Sequence, residues 1–399
     1  MKLKLVDIAH GGSCVARADD GRVVFVRGGI PGETVSVQLT AERAKLAHAL
    51  VTEVLVPSPY RIPHKWAVGA AGETGAADFG HIEYKHQLTL KTQVVRQNIR
   101  RIAGAALAEE MPAVEVNAVA GEEWATRTRF ECVKLDTGAG MYREASHQLI
   151  PVDQMMLAVS DIATDIFTDR WDEQISAGTR VKVVHPVGGN NVVVTERGAF
   201  YAPGVPGPKR IRETATDGVK SYEYQISPGG FWQIHYRAPS ELLSLVMAGV
   251  QPEPGMKICE LYSGAGLFSV PLAQAVGEQG RLISVEGSAS AVKDARYNLR
   301  SYPWARAERG RVTASRLAGL VEDADVIVAD PPRSGLGAQL AQYLGKLAAP
   351  RIVLVSCDPA AMARDVANLV NAGRTVTAIS ARDIFPQTHH MEIVTVLSR

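Results

Sequence analysis

Four short stretches of this chain set reactive side chains where a turn would present them. Val355-Ser356-Cys357-Asp358-Pro359 closes an apolar run with a thiol, and the proline fixes the backbone just beyond it. Asp330-Pro331-Pro332-Arg333 follows a second apolar run, which puts a carboxyl at the carboxyl end of a strand. Phe385-Pro386-Gln387-Thr388-His389-His390-Met391-Glu392 gathers two imidazoles and an acid ahead of a terminal strand, Ile393 to Leu397. Glu260-Leu261-Tyr262-Ser263-Gly264-Ala265-Gly266-Leu267-Phe268 reads as a strand end, a glycine turn and the opening of a helix, and Glu286 closes the next strand. Taken singly, a lone cysteine at a strand end is most often small buried packing, and Asp-Pro-Pro is most often a stiffened turn. Placed after the same glycine turn, they read as one ligand-bearing rim.

The glycine turn with Gly264 and Gly266 lets a ligand approach the backbone, and the carboxylate of Glu286 suits ribose hydroxyls, so an adenosine-containing cofactor is implied. Two compete. Dinucleotides favour a third glycine, where this chain has Ser269, and gain nothing from Glu260 beside their phosphates. S-adenosylmethionine has no pyrophosphate, and its ammonium group is compatible with Glu260. The methyl donor is the reading preferred here, with a nicotinamide oxidoreductase as the alternative. Amino-group methyltransferases use a similar Asp/Asn-Pro-Pro followed by an aromatic residue that stacks on the target base; Arg333 stands there instead, so the substrate atom is not expected to be an exocyclic amine. Adjacent histidines do not present ligands at i, i+4 spacing, so no metal is expected at His389 and His390.

A thiol, a base, a methyl donor and a polar group facing a pyrimidine edge are the parts needed to methylate C5 of uracil. That carbon is too weak a nucleophile to attack a sulfonium directly, and a thiolate added to C6 converts the ring to an enolate that can. Cys357, Glu392 and Asp330 fit the three protein roles.

Positioning these residues is the task of the rest of the chain. Its 399 residues carry 43 basic and 42 acidic side chains, enough length for two or three cored domains and no general basic character. A nucleic-acid binder needs only a local basic face, so RNA stays open. There is no apolar run of membrane-spanning length and no secretory leader pattern, so a cytoplasmic protein with no membrane partner is expected. Cys14, Cys132, Cys259 and Cys357 are too scattered for a metal knuckle. Short alternating strands over 1–58 predict a small OB-like barrel, ended by the prolines at 57, 59 and 63. A middle α/β domain is expected over 59–222. It would include a helix over 84–104 with Leu88, Val95, Ile99 and Ile102 on its apolar face, and with Lys85, Lys91, Arg96, Arg100 and Arg101 free to meet phosphates or solvent. Pro206 to Arg212 is a turn followed by a second basic cluster. Over 223–399, apolar strands alternating with helices predict a doubly wound, largely parallel sheet.

These motifs resemble the RNA uracil-C5 methyltransferases that carry an N-terminal TRAM domain, and the resemblance spans nearly the whole chain. Beyond the stretches above, it rests on Pro31-Gly32-Glu33, Pro59-Tyr60-Arg61, Thr126-Arg127-Thr128-Arg129, Tyr142-Arg143-Glu144-Ala145-Ser146-His147 and Ser227-Pro228-Gly229-Gly230-Phe231-Trp232-Gln233. It implies a class I, Rossmann-like methyltransferase domain behind the OB-like TRAM barrel. It also implies S-adenosyl-L-methionine bound by Gln233, Tyr262, Gly264, Gly266, Glu286 and Asp330, with Cys357 as nucleophile and Glu392 as base. RNA is the implied partner, 23S ribosomal RNA ahead of transfer RNA, with no obligate protein partner. A factor that binds RNA without catalysis is the alternative from another class. Three departures stand out. Many relatives hold a [4Fe-4S] cluster through cysteines after the barrel, and residues 58–90 contain none, so no cluster is expected. Asp358 replaces the usual asparagine after the nucleophile and sets a carboxylate against the thiol unless it is paired. Leu267 replaces a frequent asparagine, which removes one polar cofactor contact.

Overall fold

All 399 residues are described by the structure, a computed structural model. The N-terminal strands are β1 (Lys2–Lys4), β2 (Asp7–Ile8), β3 (Cys14–Arg17), β4 (Val23–Arg27), β5 (Thr34–Glu42) and β6 (Leu46–Val56), in the order β1-β5-β6-β4-β3-β2. Because β1 and β2 are two halves of one bent stretch, pairing with β5 at one edge and β3 at the other, the sheet closes into a barrel. The period-two pattern decides which residues point inward: Cys14, Ala16, Val24, Val26, Val35 and Val37 fill the interior. Glu33, fully buried, accepts two hydrogen bonds from Arg61, at 2.6 and 2.7 Å, which fastens the proline-rich segment to the barrel wall.

Next come α1 (Tyr84–Asn98), a π-helical turn (Ile99–Ala103), α2 (Ala105–Glu110) and β7 (Val116–Ala118). An antiparallel sheet follows: β8 (Arg129–Lys134), β9 (Ala139–Tyr142), β10 (Leu149–Val152), β11 (Arg180–Val184), β12 (Val192–Thr195), β13 (Gly198–Ala202) and β14 (Val205–Pro206), ordered β10-β9-β8-β11-β12-β13-β14. It packs over Trp66, Leu157, Ile166 and Trp171. The hairpin β15 (Ile211–Thr216) and β16 (Ser221–Ile226) leads into the last region.

That region comprises α3 (Ala238–Val250), β17 (Lys257–Leu261), α4 (Ser269–Val276), β18 (Arg281–Glu286), α5 (Ala289–Asn298), β19 (Ala305–Arg309), α6 (Ala314–Leu317), β20 (Val326–Ala329), α7 (Ala338–Lys346), β21 (Arg351–Ser356), α8 (Pro359–Asn371), β22 (Thr375–Asp383) and β23 (Glu392–Ser398). Its eight-stranded sheet runs β19-β18-β17-β20-β21-β23-β22-β7, parallel from β19 to β21, with β23 antiparallel between β21 and β22. Strand order reverses at β17, so the ligand crevice opens beyond the carboxyl ends of β17 and β20.

The helix expected in the middle domain packs against the eight-stranded sheet. β7 pairs in parallel with β22, and Val95 and Ile99 join the core formed with Met362 and Val366 of α8. On its other side Leu90 and Val94 pack with Ile8, Ile30, Phe79 and Ile82, so α1 is buried against both the barrel and the eight-stranded sheet. Of the expected stripe, Val95 and Ile99 are buried and Leu88 packs against the same core; the buried face is wider than that stripe and adds Gln87, Leu90, Lys91, Val94 and Asn98. Ile102 is 37% exposed, because the π-helical turn rotates it off that face.

Candidate active site

Register brings the sequence motifs to one rim. Leu261 of β17 lies opposite Val285 of β18 on one side and Ala329 of β20 on the other, so the next residues, Glu286, Tyr262 and Asp330, leave the sheet side by side. Cys357 leaves β21 on the same rim. Because β23 runs antiparallel, its first residues come back to that rim, with Ile393 opposite Ser356, and Glu392 is delivered beside Cys357. The result is a cleft of about 680 Å³ whose wall includes Gln233, Tyr262, Gly264, Glu286, Asp330, Cys357 and Glu392. That size suits a cofactor or a drug-sized ligand. Gly266 is not on the wall. Its N–H closes the turn onto the Ser263 carbonyl at 2.9 Å, and its φ of +95° is the conformation the turn needs.

The glycine turn fits the ribose end of a nucleoside cofactor. Gly264 has a φ of +55° and nothing within 4 Å of where a Cβ would stand, which leaves its backbone open to the cleft. Its N–H donates to one oxygen of Glu286 at 3.0 Å, and Ser288 N–H donates to the other at 2.6 Å, which fixes the carboxylate while leaving lone pairs for hydroxyl donors. Tyr262 holds a φ of +62°, costly for an aromatic residue, and the strain lies where the strand turns into the cleft. Glu260 is placed differently from the sequence expectation. It is buried behind the turn, bonded to the Ser269 hydroxyl, and absent from the cleft wall, so it supports the turn instead of meeting an ammonium group. Burial raises its carboxyl to about 8, and the charges of Asp330 and Glu286 add to the shift, so it is largely neutral at pH 7. Leu267 lines the cleft, and its carbonyl accepts the Tyr224 hydroxyl at 2.8 Å, so that position contributes an apolar wall.

The reacting end is dominated by two buried carboxyls. Burial, reinforced by Glu286, raises Asp330 to about 7. Burial and the neighbouring Asp330 push Glu392 well above the usual carboxylate range, with Arg333 opposing. One oxygen of Glu392 has no hydrogen-bond partner within the protein, as a group held for a substrate would. The Cys357 thiol is raised to about 12 by burial and by Glu392 and Asp330; Arg333 pulls it down.

Asp358 turns out to be paired. One of its oxygens caps α8, accepting the N–H groups of Ala360 at 3.0 Å and Ala361 at 2.8 Å. The other lies 3.1 Å from Nε2 of His10, in the barrel. Burial opposes its ionisation, but these partners outweigh burial and hold the carboxyl below its ordinary range.

Sequence reasoning missed Arg333 as the cation of the site and His390 as its partner. Arg333 Nη2 donates to His390 Nε2 at 3.1 Å, so that nitrogen carries the lone pair. Burial and the charges of His389 and Arg333 lower His390 to about 3, which agrees with a neutral ring. His389 bonds Asp78 through Nδ1 at 2.7 Å, and Asp78 also meets Arg27 of β4 at 3.2 Å. The adjacent His-His pair was the signal in the sequence, but its partners lie some 300 positions away or across the cleft.

The expected phosphate-meeting face of α1 is partly consumed by structure. Lys91 is buried on Asp383 at 2.6 Å, and Arg96 Nε bonds the Val114 carbonyl at 3.0 Å.

Residues 209–399 match the tRNA (uracil-5-)-methyltransferase family, and residues 3–52 match the TRAM domain. An uncharacterized RNA methyltransferase of Streptomyces coelicolor is 35% identical over 98% of this chain and 91% of its own length. A Bifidobacterium longum protein with the same description is 33% identical over 100% of this chain and 96% of its own. Among solved structures, the tRNA (uracil-54, C5)-methyltransferase of Pyrococcus abyssi, in complex with S-adenosyl-L-homocysteine, superposes with a TM-score of 0.74 at 20% identity, covering 100% of this chain and 99% of that one. The shared fold extends through all three regions.

Proposed function

The chain belongs to the S-adenosylmethionine-dependent RNA uracil-5 methyltransferase family, and from that premise we propose that it methylates C5 of a uridine in ribosomal RNA through a covalent bond between Cys357 and C6. The observation that carries this reading is the meeting of one thiol, two buried carboxyls and a nucleoside-type cradle in a single cleft. Gln233, Tyr262, Gly264 and Glu286 would hold the cofactor, with Asp330 between cofactor and pyrimidine. In the same reading the barrel, 1–58, grips RNA, and 223–399 performs the chemistry with α1 and β7 as buttresses.

The Sγ of Cys357 adds to C6 of the extruded base, and the electrons of the C5–C6 double bond move onto O4. S-adenosylmethionine, when bound, supplies the methyl group to C5 and a positive sulfonium that favours the ionised form of nearby carboxyls. Glu392 then takes the C5 proton, the C–H electron pair restores the double bond, and the C6–Sγ bond breaks to release the thiolate. Both carboxyls are raised, so the resting pair holds at least one proton near neutrality. The protonated member serves as donor to the pyrimidine carbonyl while charge develops there, and the ionised member serves as acceptor afterwards.

The test is incubation with methyl-labelled S-adenosylmethionine and total RNA from a strain lacking the gene, followed by nucleoside analysis and size separation. Label in 5-methyluridine of the large ribosomal RNA is the expected result. Label in transfer RNA, the substrate class named for the Pyrococcus abyssi neighbour, would move the target while leaving the chemistry. Cys357→Ala should abolish turnover and keep RNA binding; a noncatalytic RNA-binding factor would lose nothing by that change.

A further inference from the structure

The turn Ala9 to Gly12 of the barrel reaches the active site. Gly12 N–H closes it on the Ala9 carbonyl at 3.2 Å, and Gly11 and Gly12 take φ values of +82° and +79°. A Cβ on Gly12 would stand 2.8 Å from His389 Cβ and 3.1 Å from Asp78 Oδ2, so the turn is pressed against the loop that leads to Glu392. Between them lies a recess of about 80 Å³ lined by His10, Arg333, Cys357, Asp358 and His389, which shares Arg333 and Cys357 with the larger cleft. His10 stands over the first turn of α8 there, with Nε2 3.1 Å from Asp358 Oδ2.

As an ion pair, His10–Asp358 is too exposed, at 38% and 22%, to contribute much stability. Its location is what matters. Asp358 brings a carboxylate next to the nucleophile, in a setting where Glu392 and Asp330 already oppose thiolate formation. One of its oxygens is committed to the α8 cap, and the other would be free to accept the Cys357 S–H or repel its thiolate if His10 were absent.

We propose that His10 is a positioning residue for the nucleophile: it engages the remaining oxygen of Asp358, turns it away from the thiol and so weakens that acid's opposition to thiolate formation, so that docking of the TRAM barrel helps to set the reactivity of Cys357. The inference rests on the reading of Cys357 as nucleophile. The thiol faces Glu392 of β23, Asp330 and Arg333 of the loop after β20, and Asp358 on its own turn, with His389 and His390 on the adjoining wall. Of these, Asp358 is the one reached by a side chain of the barrel turn, His10.

The experiment is alkylation of the full-length protein by iodoacetamide across pH 6 to 10, read as the rate of modification of the Cys357 peptide. Cys14, Cys132 and Cys259 are buried, so labelling is selective. His10→Ala should slow modification by about threefold to tenfold, tenfold being one unit in the thiol pKa, and His10→Gln, which keeps a donor, should restore most of it. In an Asp358→Asn background, which keeps the helix cap, His10→Ala should have no effect. Unchanged rates in His10→Ala, or the same slowing in the Asp358→Asn background, would overturn the proposal and leave His10 a purely structural contact. None of these readings needs methylation. If Cys357→Ala retained turnover, the functional reading would fail while the alkylation cycle still decided the coupling.

Discussion

To act as the proposed nucleophile, Cys357 must ionise in surroundings that oppose it, and this sets how the reaction should respond to pH. With the thiol near 12 and Asp330 near 7, Cys357 reacts as the thiolate while Asp330 serves protonated, as donor to the pyrimidine carbonyl. Log kcat/KM should therefore climb with a slope of about 1 below about pH 7 and level off above it, where the gain in thiolate is offset by loss of the donor proton. A profile flat below about pH 7 and falling above it would show that RNA binding itself ionises the thiol. In the proposed mechanism Glu392 acts last, so Glu392→Gln should still form the bond to C6 and transfer the methyl group but fail to release the RNA. A protein–RNA adduct that survives a denaturing gel and carries the methyl label is expected from Glu392→Gln, and none from Cys357→Ala. Cys357, Asp330 and Glu286 were legible because each ends a strand in a short motif, and Glu392 because it opens one. The partners that tune them were not. His10 meets Asp358 across nearly the whole chain, and Arg333 meets His390 across 57 positions; neither contact leaves a local pattern in sequence.

At the level of elements, α1 shows where periodicity ran out. A helix near 84–104 was readable from its spacing, and Val95 and Ile99 of the expected stripe are buried, but the rest of the buried face was missed in part because three of its residues, Gln87, Lys91 and Asn98, are polar. Asn98 bonds the Val94 carbonyl within the helix, and Gln87 and Lys91 are each satisfied by the distant loop they anchor. Gln87 Nε2 donates to Gln387 Oε1 at 2.9 Å, and Gln87 Oε1 accepts the Gln387 N–H at 3.1 Å, holding Gln387 at a φ of +66°. Lys91 spans from Asp383 at 2.6 Å to the Phe385 carbonyl at 3.3 Å. α1 thus clamps the segment between β22 and β23 that delivers His390 and Glu392. Removing the cation alone leaves Asp383 buried and unpaired, so Lys91→Met should cost about 3–5 kcal/mol, read as a lowered denaturant midpoint. Adding Asp383→Asn, whose carbonyl oxygen can still accept the Phe385 N–H that now bonds Asp383 at 3.1 Å, should recover much of that loss. Equal destabilisation by the single and double variants would mean that packing, not charge, is what Lys91 supplies. The barrel and the doubly wound sheet were legible for the opposite reason: their inward residues follow period two or run apolar end to end, with few buried exceptions.

For the whole molecule, a net charge of +1 conceals an uneven distribution. Over 293–316 there are seven basic side chains, Lys293, Arg296, Arg300, Arg306, Arg309, Arg311 and Arg316, against two acids. Both acids are already engaged: Asp294 with Arg210 at 2.8 Å, and Glu308 with Arg306 at 3.2 Å and Arg316 at 2.8 Å. Arg210 and Arg300 sit over the Tyr297 ring at 4.0 and 4.1 Å from its centroid, which joins the basic cluster after β14 to α5. This surface follows β19, the edge strand whose last residue, Arg309, lies opposite Glu286 at the cofactor end of the cleft. On α1, Lys91 is buried on Asp383 and unavailable to a phosphate, while Arg96 is bonded to the Val114 carbonyl, as Arg296 and Arg300 are to the Ala307 and Tyr297 carbonyls. Because the β19 edge carries more cations and adjoins the cleft, phosphates should meet it more than the α1 face. Replacing Arg300 and Arg311 together by alanine should weaken RNA binding and reduce the slope of log K against log salt by about 1 to 2, since each phosphate contact contributes about 0.7 to 0.9. Replacing Arg96 should leave the slope as it was. The reverse outcome, a slope sensitive to Arg96 and indifferent to Arg300 and Arg311, would place the RNA across α1 and leave the basic edge as solvated surface.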